Sequence, residues 1–317
     1  MLLSAVIAVT LLIAMYWIRY LFMEPGTDGR SISVFLFVLF IVALSIIAYI
    51  ERMDRSTMLD DVPVVVALTT DLSLSMGATP DPREHGVIGT RLERAQQTLL
   101  PILNALESSG ATVMMGITGF TAKSEMIMGW DSNIPQIREV IEYSMAPGLL
   151  TQPGSDLGVA LQGVIPLFEN LPEEYQNQET KKFLIVVSDG EQTLDRGEIE
   201  TALAELRANE VSVIALQVGL LDIPEGIPVY DEAGTFFGFQ DISGQVYTVP
   251  DTEIMTMIVG SDPATGLYVR GEDPDAVLEI SNFLGIRMSA LSTSGPLYTA
   301  VVSLLWGLSF AVLLWFV

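Results

Sequence analysis

Three long apolar segments constrain the fold of this chain more than any other feature. They cover 1–23, in which Arg19 is the only charged residue, and 32–50 and 296–317, which carry no charge. A helix of roughly 20 apolar residues is long enough to cross the hydrocarbon core of a bilayer. The sequence therefore predicts three transmembrane helices, with a domain over 56–290 that is large enough to bury a core of its own.

The first apolar segment has two interpretations, a retained span and a cleaved signal peptide. No positive region precedes it and no small-residue cleavage pattern closes it near Phe22, which favours the retained span. The short turn over 24–31 then joins two antiparallel spans. The arginines are divided almost evenly between the two sides, so the positive-inside rule gives no clear orientation. The uncharged N-terminus and the acidic domain favour a domain outside the cytoplasm. We expect a protein of the inner (cytoplasmic) membrane whose domain is extracytoplasmic.

The charge of the chain is strongly acidic, with 15 Lys and Arg against 39 Asp and Glu and a formal net charge of −24. Residues 1–55 contain as many arginines as acidic residues, so the whole excess belongs to the domain. Binding to nucleic acid is excluded because a phosphate backbone needs a positive surface. Cysteine is absent, which rules out disulfides, thiolate nucleophiles and cysteine metal sites.

Short apolar runs alternate with helical patterns along the domain. This alternation predicts a doubly wound, mostly parallel α/β sheet of Rossmann-like type. Pro101 is expected to kink or split its helix, and 227–249 is expected to form an inserted hairpin. The predicted strands are 63–70, 112–118, 182–188 and 211–218, with 267–270 as an edge strand, and the predicted helices are 91–109, 134–143, 157–168, 199–209, 251–260 and 274–284.

Oxygen-bearing side chains follow the predicted strands. Asp71, Ser73 and Ser75 come after the first strand, Ser155 precedes a helix, and Asp189 follows the strand over 182–188. The carboxyl ends of parallel strands border the functional crevice, so we expect these five side chains to converge. A set of oxygens with few charges suits Mg²⁺ best and Mn²⁺ next. Each residue alone also has a structural interpretation as a helix cap or a turn residue.

The combined pattern resembles the von Willebrand factor type A (vWA) domain with its metal-ion-dependent adhesion site (MIDAS). The run from Asp71 to Ser75 matches the element D-x-S-x-S, and Asp189 lies in a match to [ST]-D-G-[ED]. Ser155 stands where the family usually has threonine, within a stretch similar to G-T-x-[IL]-G-x-A-L. Leu74 replaces the glycine that is common in the first loop. The resemblance implies that these five residues, Asp71, Ser73, Ser75, Ser155 and Asp189, hold the metal.

The layout of two N-terminal spans, a vWA-like domain and a C-terminal span resembles the Bat (aerotolerance-type) membrane proteins, which are associated with MoxR-type AAA+ ATPases. An accessory vWA protein of methanol dehydrogenase maturation is an alternative that the motifs do not separate. The resemblance implies an adaptor in which a partner protein offers an acidic side chain to the metal. Other membrane vWA proteins and a MoxR-type ATPase are the implied partners.

Enzymatic alternatives find little support in the sequence. None of the three lysines follows a glycine-rich loop that opens a helix, which argues against a phosphate-binding loop. The single histidine, His85, lies in a loop of Pro, Asp and Gly and is expected to be solvated. A metal-dependent phosphoester hydrolase built on Asp71 and Asp189 stays an alternative, but it would need a nucleophile or a second metal. We expect a binding protein, not an enzyme.

Two further segments, the loop 76–89 and the hairpin near 230–239, are expected to frame the site. The second contains four aromatic residues that form either a partner surface or the buried face of the hairpin. Because side chains alternate along a strand, about half should face inward in any case, and burial is the favoured interpretation. These residues are Tyr230, Phe236, Phe237 and Phe239.

Overall fold

The structure is a computed structural model that describes residues 62–176, 179–191, 197–241 and 246–286. The three predicted transmembrane segments lie outside these residues. None of the described helices combines the length and the apolar character needed to cross a membrane. Asp61–Met288 forms a compact unit by itself, and that unit is the domain described below.

A six-stranded sheet forms the centre of the domain, in the order β10-β5-β4-β1-β2-β3. Every neighbouring pair is parallel except β2 and β3. Two small antiparallel pairs, β6 with β9 and β7 with β8, lie outside this sheet. The strands are β1 Val64–Asp71, β2 Val113–Phe120, β3 Ser124–Asp131, β4 Lys181–Ser188, β5 Val211–Gln217, β6 Glu225–Gly226, β7 Pro228–Tyr230, β8 Phe236–Phe239, β9 Tyr247–Thr248 and β10 Gly266–Arg270.

Helices cover both faces of the sheet. One apolar cluster joins the sheet to α2, α3 and α7, and a second joins the opposite face to α4, α5 and α6. All eight residues of β1 and of β2 are buried, as expected for strands with a helical layer on each side. The predicted doubly wound α/β architecture is therefore confirmed. The helices are α1 Pro82–His85, α2 Arg91–Ser109, α3 Ile134–Tyr143, α4 Leu157–Glu169, α5 Gly197–Ala208, α6 Thr252–Val259 and α7 Ala276–Phe283.

Two local predictions differ from the structure. Helix α2 continues through Pro101 without a break, because Leu99 and Ile102 on either side pack into the same apolar cluster. Of the kink or split expected at Pro101, the split is wrong, since that packing outweighs the hydrogen bond that proline removes. Strand β3 was missed because it lies at the sheet edge, where its residues are partly or fully exposed and follow no apolar pattern.

The insertion between β5 and α6 contains the antiparallel pair β7 and β8, as expected over 227–249. Its aromatic residues are less buried than predicted. Tyr230 is 53% exposed and Phe237 is 80% exposed, whereas Phe236 and Phe239 are half-buried with ring centroids 5.1 Å apart. A two-stranded ribbon has too little area to bury both of its faces, so the expectation of burial is wrong for Tyr230 and Phe237.

The strand order changes direction between β1 and β4. The chain runs outward from β1 to β2 and β3 on one side, and then from β4 to β5 and β10 on the other. In a doubly wound sheet, the crevice at the carboxyl ends of two such strands is the usual ligand site. Asp71 is the last residue of β1, and Asp189 directly follows β4.

Candidate metal site

Asp71 is the centre of the candidate site and is fully buried. Its Oδ1 accepts a hydrogen bond from the Ser73 backbone N–H at 2.9 Å. Its Oδ2 accepts hydrogen bonds from the hydroxyls of Ser155 at 2.7 Å and Ser188 at 2.9 Å. The carboxylate therefore connects the loop after β1 with the loop before α4 and with the end of β4.

Ser73 and Ser75 place their hydroxyl oxygens 3.0 Å apart at the same site. Both side chains line one pocket together with Ser155. In an octahedral Mg²⁺ shell with ligands at about 2.0–2.1 Å, adjacent ligand oxygens lie about 2.9 Å from each other. The spacing of the two serine oxygens fits two neighbouring positions in such a shell.

Asp189 is also fully buried, and its carboxylate is held from two sides. Oδ1 accepts a hydrogen bond from the Glu191 backbone N–H at 3.0 Å, and Oδ2 lies 2.5 Å from Nη1 of Arg91. The structure thus brings Asp71, Ser73, Ser75 and Ser155 into one hydrogen-bonded group. Asp189 lies beside this group, close enough for its charge to act on Asp71.

A buried ion-pair network supports Asp189. Arg91 Nε lies 2.7 Å from Glu225 Oε2, and Arg94 Nη2 lies 2.5 Å from Glu225 Oε1. Arg94 Nε also lies 3.1 Å from Glu272 Oε1. We call the five side chains Arg91, Arg94, Asp189, Glu225 and Glu272 the arginine network.

Sequence reasoning missed the arginine network, although one signal was available. The N-terminus of a helix carries a partial positive charge and disfavours basic residues. Helix α2 nevertheless begins with Arg91, and Arg94 follows in its first turn, in a chain with only 15 basic residues. Such a placement indicates that these two side chains form ion pairs with carboxylates from other parts of the fold.

Burial raises the pKa of Asp71 to about 7, and the charge of Asp189 adds to this rise, while hydrogen bonds from Ser73 and Ser155 oppose it. Burial and the charge of Asp189 also raise the pKa of Glu191. Burial lowers the pKa of Arg91, but the charges of Asp189 and Glu225 outweigh it, so the net pKa is raised. Arg91 stays charged, whereas Asp71 resists ionisation.

The site is short of positive charge. The arginine network contains two guanidinium groups and three carboxylates, and an ionised Asp71 brings the deficit to two charges. A divalent cation would balance this deficit. Among the described residues, no group of three or more His, Cys, Asp or Glu side chains is placed to hold a metal. Any ion at Asp71 would therefore depend on the serine hydroxyls.

A pocket of about 360 Å³ opens beside the serine hydroxyls. The segment 148–155 contributes one part of the lining, and residues in or next to the small strands of the insertion contribute another. The expectation that 76–89 frames the site is wrong, because none of its residues lines the pocket and Thr79 instead pairs with Gly226. The hairpin near 230–239 borders the pocket as expected, but through residues of the insertion that flank this range. These are Ile227, Gln240, Val246, Tyr247 and Thr248.

The domain is similar to two solved structures. BatB from Bacteroides thetaiotaomicron, described as a conserved hypothetical protein, has a TM-score of 0.53 and 21% identity over 71% of this chain and 97% of that one. An aerotolerance-related membrane protein from Bacteroides fragilis NCTC 9343, with multiple mutations to serines, has a TM-score of 0.54 and 22% identity over 71% and 98%. The domain has a Bat-type fold.

A more distant likeness is to the vWA domain of SpRpn10, with a TM-score of 0.43 and 11% identity over 69% of this chain and 93% of that one. This likeness is too remote to carry an argument. No known family profile matches the sequence, and no curated protein sequence matches it at a significant level. The comparisons therefore bear on the fold of the domain.

Removing the charge of Arg91 should destabilise the domain strongly. Arg91→Leu leaves the buried carboxylate of Asp189 without its guanidinium partner and removes one of the two from Glu225, which should lower the free energy of unfolding by about 3–5 kcal/mol. Urea denaturation of the fragment 56–294 measures this change. Arg138→Leu removes an ion pair with the half-exposed Glu107 and should cost less than about 1 kcal/mol. Equal losses in both variants would contradict the structural role of the arginine network.

The raised pKa of Asp71 should make the metal-free domain less stable as the pH rises. The folded state keeps a proton that the unfolded state releases above the ordinary value of 3.8, so stability should fall from about pH 4 to about pH 7. Asp71→Asn cannot ionise and should lose less stability over this range. Urea denaturation in EDTA at pH 5 and pH 8 tests this. Glu191 contributes to the pH dependence of the free energy of unfolding in both proteins. The comparison is therefore the difference between the two pH dependences. The expectation would be refuted if the wild type and Asp71→Asn lost equal stability between the two pH values.

Proposed function

We propose that the domain is a vWA-type module that binds one Mg²⁺ or Mn²⁺ ion. The observation that carries the proposal is the clustering of the Ser73, Ser75 and Ser155 hydroxyls beside the buried carboxylate of Asp71, at the point where the strand order reverses. The charge deficit around Asp71 and the 3.0 Å spacing of two hydroxyl oxygens support it. The proposed ligands, directly or through water, are Asp71, Ser73, Ser75, Ser155 and Asp189.

The proposed function is recruitment of a protein partner, not catalysis. A hydroxyl-rich site gives a divalent ion few charged ligands, so the ion keeps its attraction for one further carboxylate. The chain itself carries −24 and repels acidic partners. A bound cation would reverse this repulsion at one place, and a partner's acidic side chain would complete the coordination there.

We further propose that three transmembrane helices, 1–23, 32–50 and 296–317, anchor the domain in the cytoplasmic membrane on its outer side. Their apolar character supports this, and the similar Bacteroides fragilis protein is described as a membrane protein. Anchoring would raise the effective concentration of a second membrane-bound partner. Other membrane vWA proteins and a MoxR-type AAA+ ATPase are the proposed partners, and these follow from the sequence resemblance alone.

Calorimetry on the fragment 56–294 should reveal a single site for Mg²⁺ or Mn²⁺ that Asp71→Ala abolishes. Ser155→Thr should keep the affinity because it retains the hydroxyl, whereas Ser155→Ala should weaken it. The Thr and Ala variants form a matched pair, since both alter the side chain and only one removes the oxygen. Unchanged affinity in Asp71→Ala, or equal affinity in the two Ser155 variants, would contradict the ligand assignment.

Recruitment should depend on the ion. Full-length protein purified from detergent extracts with Mg²⁺ should retain partners that EDTA releases, and Ser73→Ala should retain fewer of them. Ser144→Ala, at an exposed serine away from the pocket, is the matched control and should behave like the wild type. Partners that are recovered equally with EDTA and with Ser73→Ala would show that the site does not mediate recruitment.

A further inference from the structure

We propose that the pocket beside the serine hydroxyls binds an apolar side chain that lies within two positions of the acidic residue on the same partner segment. This inference rests on the proposed function, because it identifies the partner by a pair of neighbouring side chains. The acidic residue would reach the metal site, and the apolar residue would fill the pocket. The partner would then be recognised by a short sequence as well as by a single charge.

The walls of the pocket are largely apolar. Leu74 lies on one side, Leu150 on another, and the insertion contributes Ile227, Val246 and Tyr247. Leu74 and Tyr247 are each 45% exposed and Val246 is 38% exposed, so this surface contacts water in the unbound protein. Removing apolar surface from water is the main favourable term in protein association. An apolar side chain is therefore the occupant that the walls favour.

The pocket is large enough to hold an apolar side chain. Its volume of about 360 Å³ is at the lower end of the range for ligand pockets, roughly 300–1,000 Å³. A helix is about 10 Å wide or more and would not enter. In an extended segment, residues two apart lie on the same side of the strand. An acidic residue at the metal site would therefore place the residue two positions away on the side that faces the pocket.

The pocket is continuous with the candidate metal site. Ser73, Ser75 and Ser155 line the same cavity as the apolar residues. A carboxylate that approaches these hydroxyls therefore carries its neighbouring side chains to the apolar walls. This continuity links the two parts of the proposed recognition.

Leu74 is a pocket residue in which this sequence differs from the vWA pattern. It lies between the two serines, where the vWA pattern commonly has glycine, and glycine would supply no wall. Its Cδ2 lies against Gly148, where an added Cβ would come within 3.1 Å. This contact places the leucine side chain against the loop 148–155, which also lines the pocket.

The remaining polar groups restrict the partner further. Of the described residues that line the pocket, only Glu191 is charged, and a second acidic side chain on the partner would be repelled by it. The partner segment thus combines one acidic residue with an apolar neighbour.

Capped peptides of the form Gly-Gly-Gly-Asp-Gly-Gly-Gly test this proposal. Leu, Ala or Lys replaces glycine at each of the four positions within two of the aspartate, and a trifluoroacetyl label reports millimolar binding by fluorine NMR. The target is the full-length protein in detergent with saturating Mg²⁺. Leu at one or more of these positions should tighten binding by roughly tenfold or more over Ala at the same position. Lys should give no such gain.

Substitutions in the pocket wall test whether the leucine side chain of the peptide binds there. Leu150→Ser and Val246→Ser should reduce the leucine gain, and Thr151→Trp, which places a bulky ring at the pocket lining, should abolish it. Phe237→Ser is the matched control, because Phe237 is on the same insertion and 80% exposed but does not line the pocket. Mg²⁺ affinity is measured for every variant, so that a loss of the metal is not mistaken for a loss of the pocket.

The outcomes separate the two proposals. If the glycine peptide with Asp binds only with Mg²⁺ and leucine adds nothing at any position, the pocket proposal is overturned and the metal function stands. If leucine peptides bind equally well in EDTA, and equally well with Asn in place of Asp, the proposed metal-dependent recruitment is refuted. In that case the pocket binds the apolar side chain without the metal. A leucine gain that is unchanged in Leu150→Ser, Val246→Ser and Thr151→Trp would overturn the pocket proposal.

Discussion

The buried ion pair between Arg91 and Asp189 is the interaction on which the arrangement of the site depends. Arg91 begins helix α2, Asp189 follows strand β4, and Glu225, which also binds Arg91, belongs to the base of the insertion. A buried charge without a partner is costly, so these three elements are stable only when they meet. The network therefore fixes the end of β4 and the insertion relative to each other, whatever its net contribution to stability.

The same electrostatics leave the candidate site short of positive charge. Burial and the charge of Asp189 raise the pKa of Asp71, and the guanidinium of Arg91 is paired with Asp189 and Glu225. The insertion that Arg91 ties down also supplies part of the pocket wall. One network thus positions both halves of the proposed recognition surface, the charged half at the metal and the apolar half beside it.

The sequence predicted the parts of the site that follow from the architecture. Strands and helices alternate, so the parallel sheet and the meeting of Asp71, Ser155 and Asp189 at one edge could be inferred from the order of the elements. Strand β3 could not, because an edge strand has no continuous apolar pattern. The pairing of Arg91 with Glu225 joins residues 134 positions apart, and no local pattern identifies such a partner.

The sequence by itself determined the kinds of element and the chemical character of the loops, since apolar periodicity and the position of hydroxyl and carboxylate residues are local properties. Tertiary structure decided which charges are paired and which apolar groups stay exposed. The aromatic residue Phe237 is exposed, although alternation alone favoured burial, because the ribbon has too little area to cover both faces. Burial and ion pairing depend on what the rest of the chain places nearby, and that is settled only when distant segments pack together.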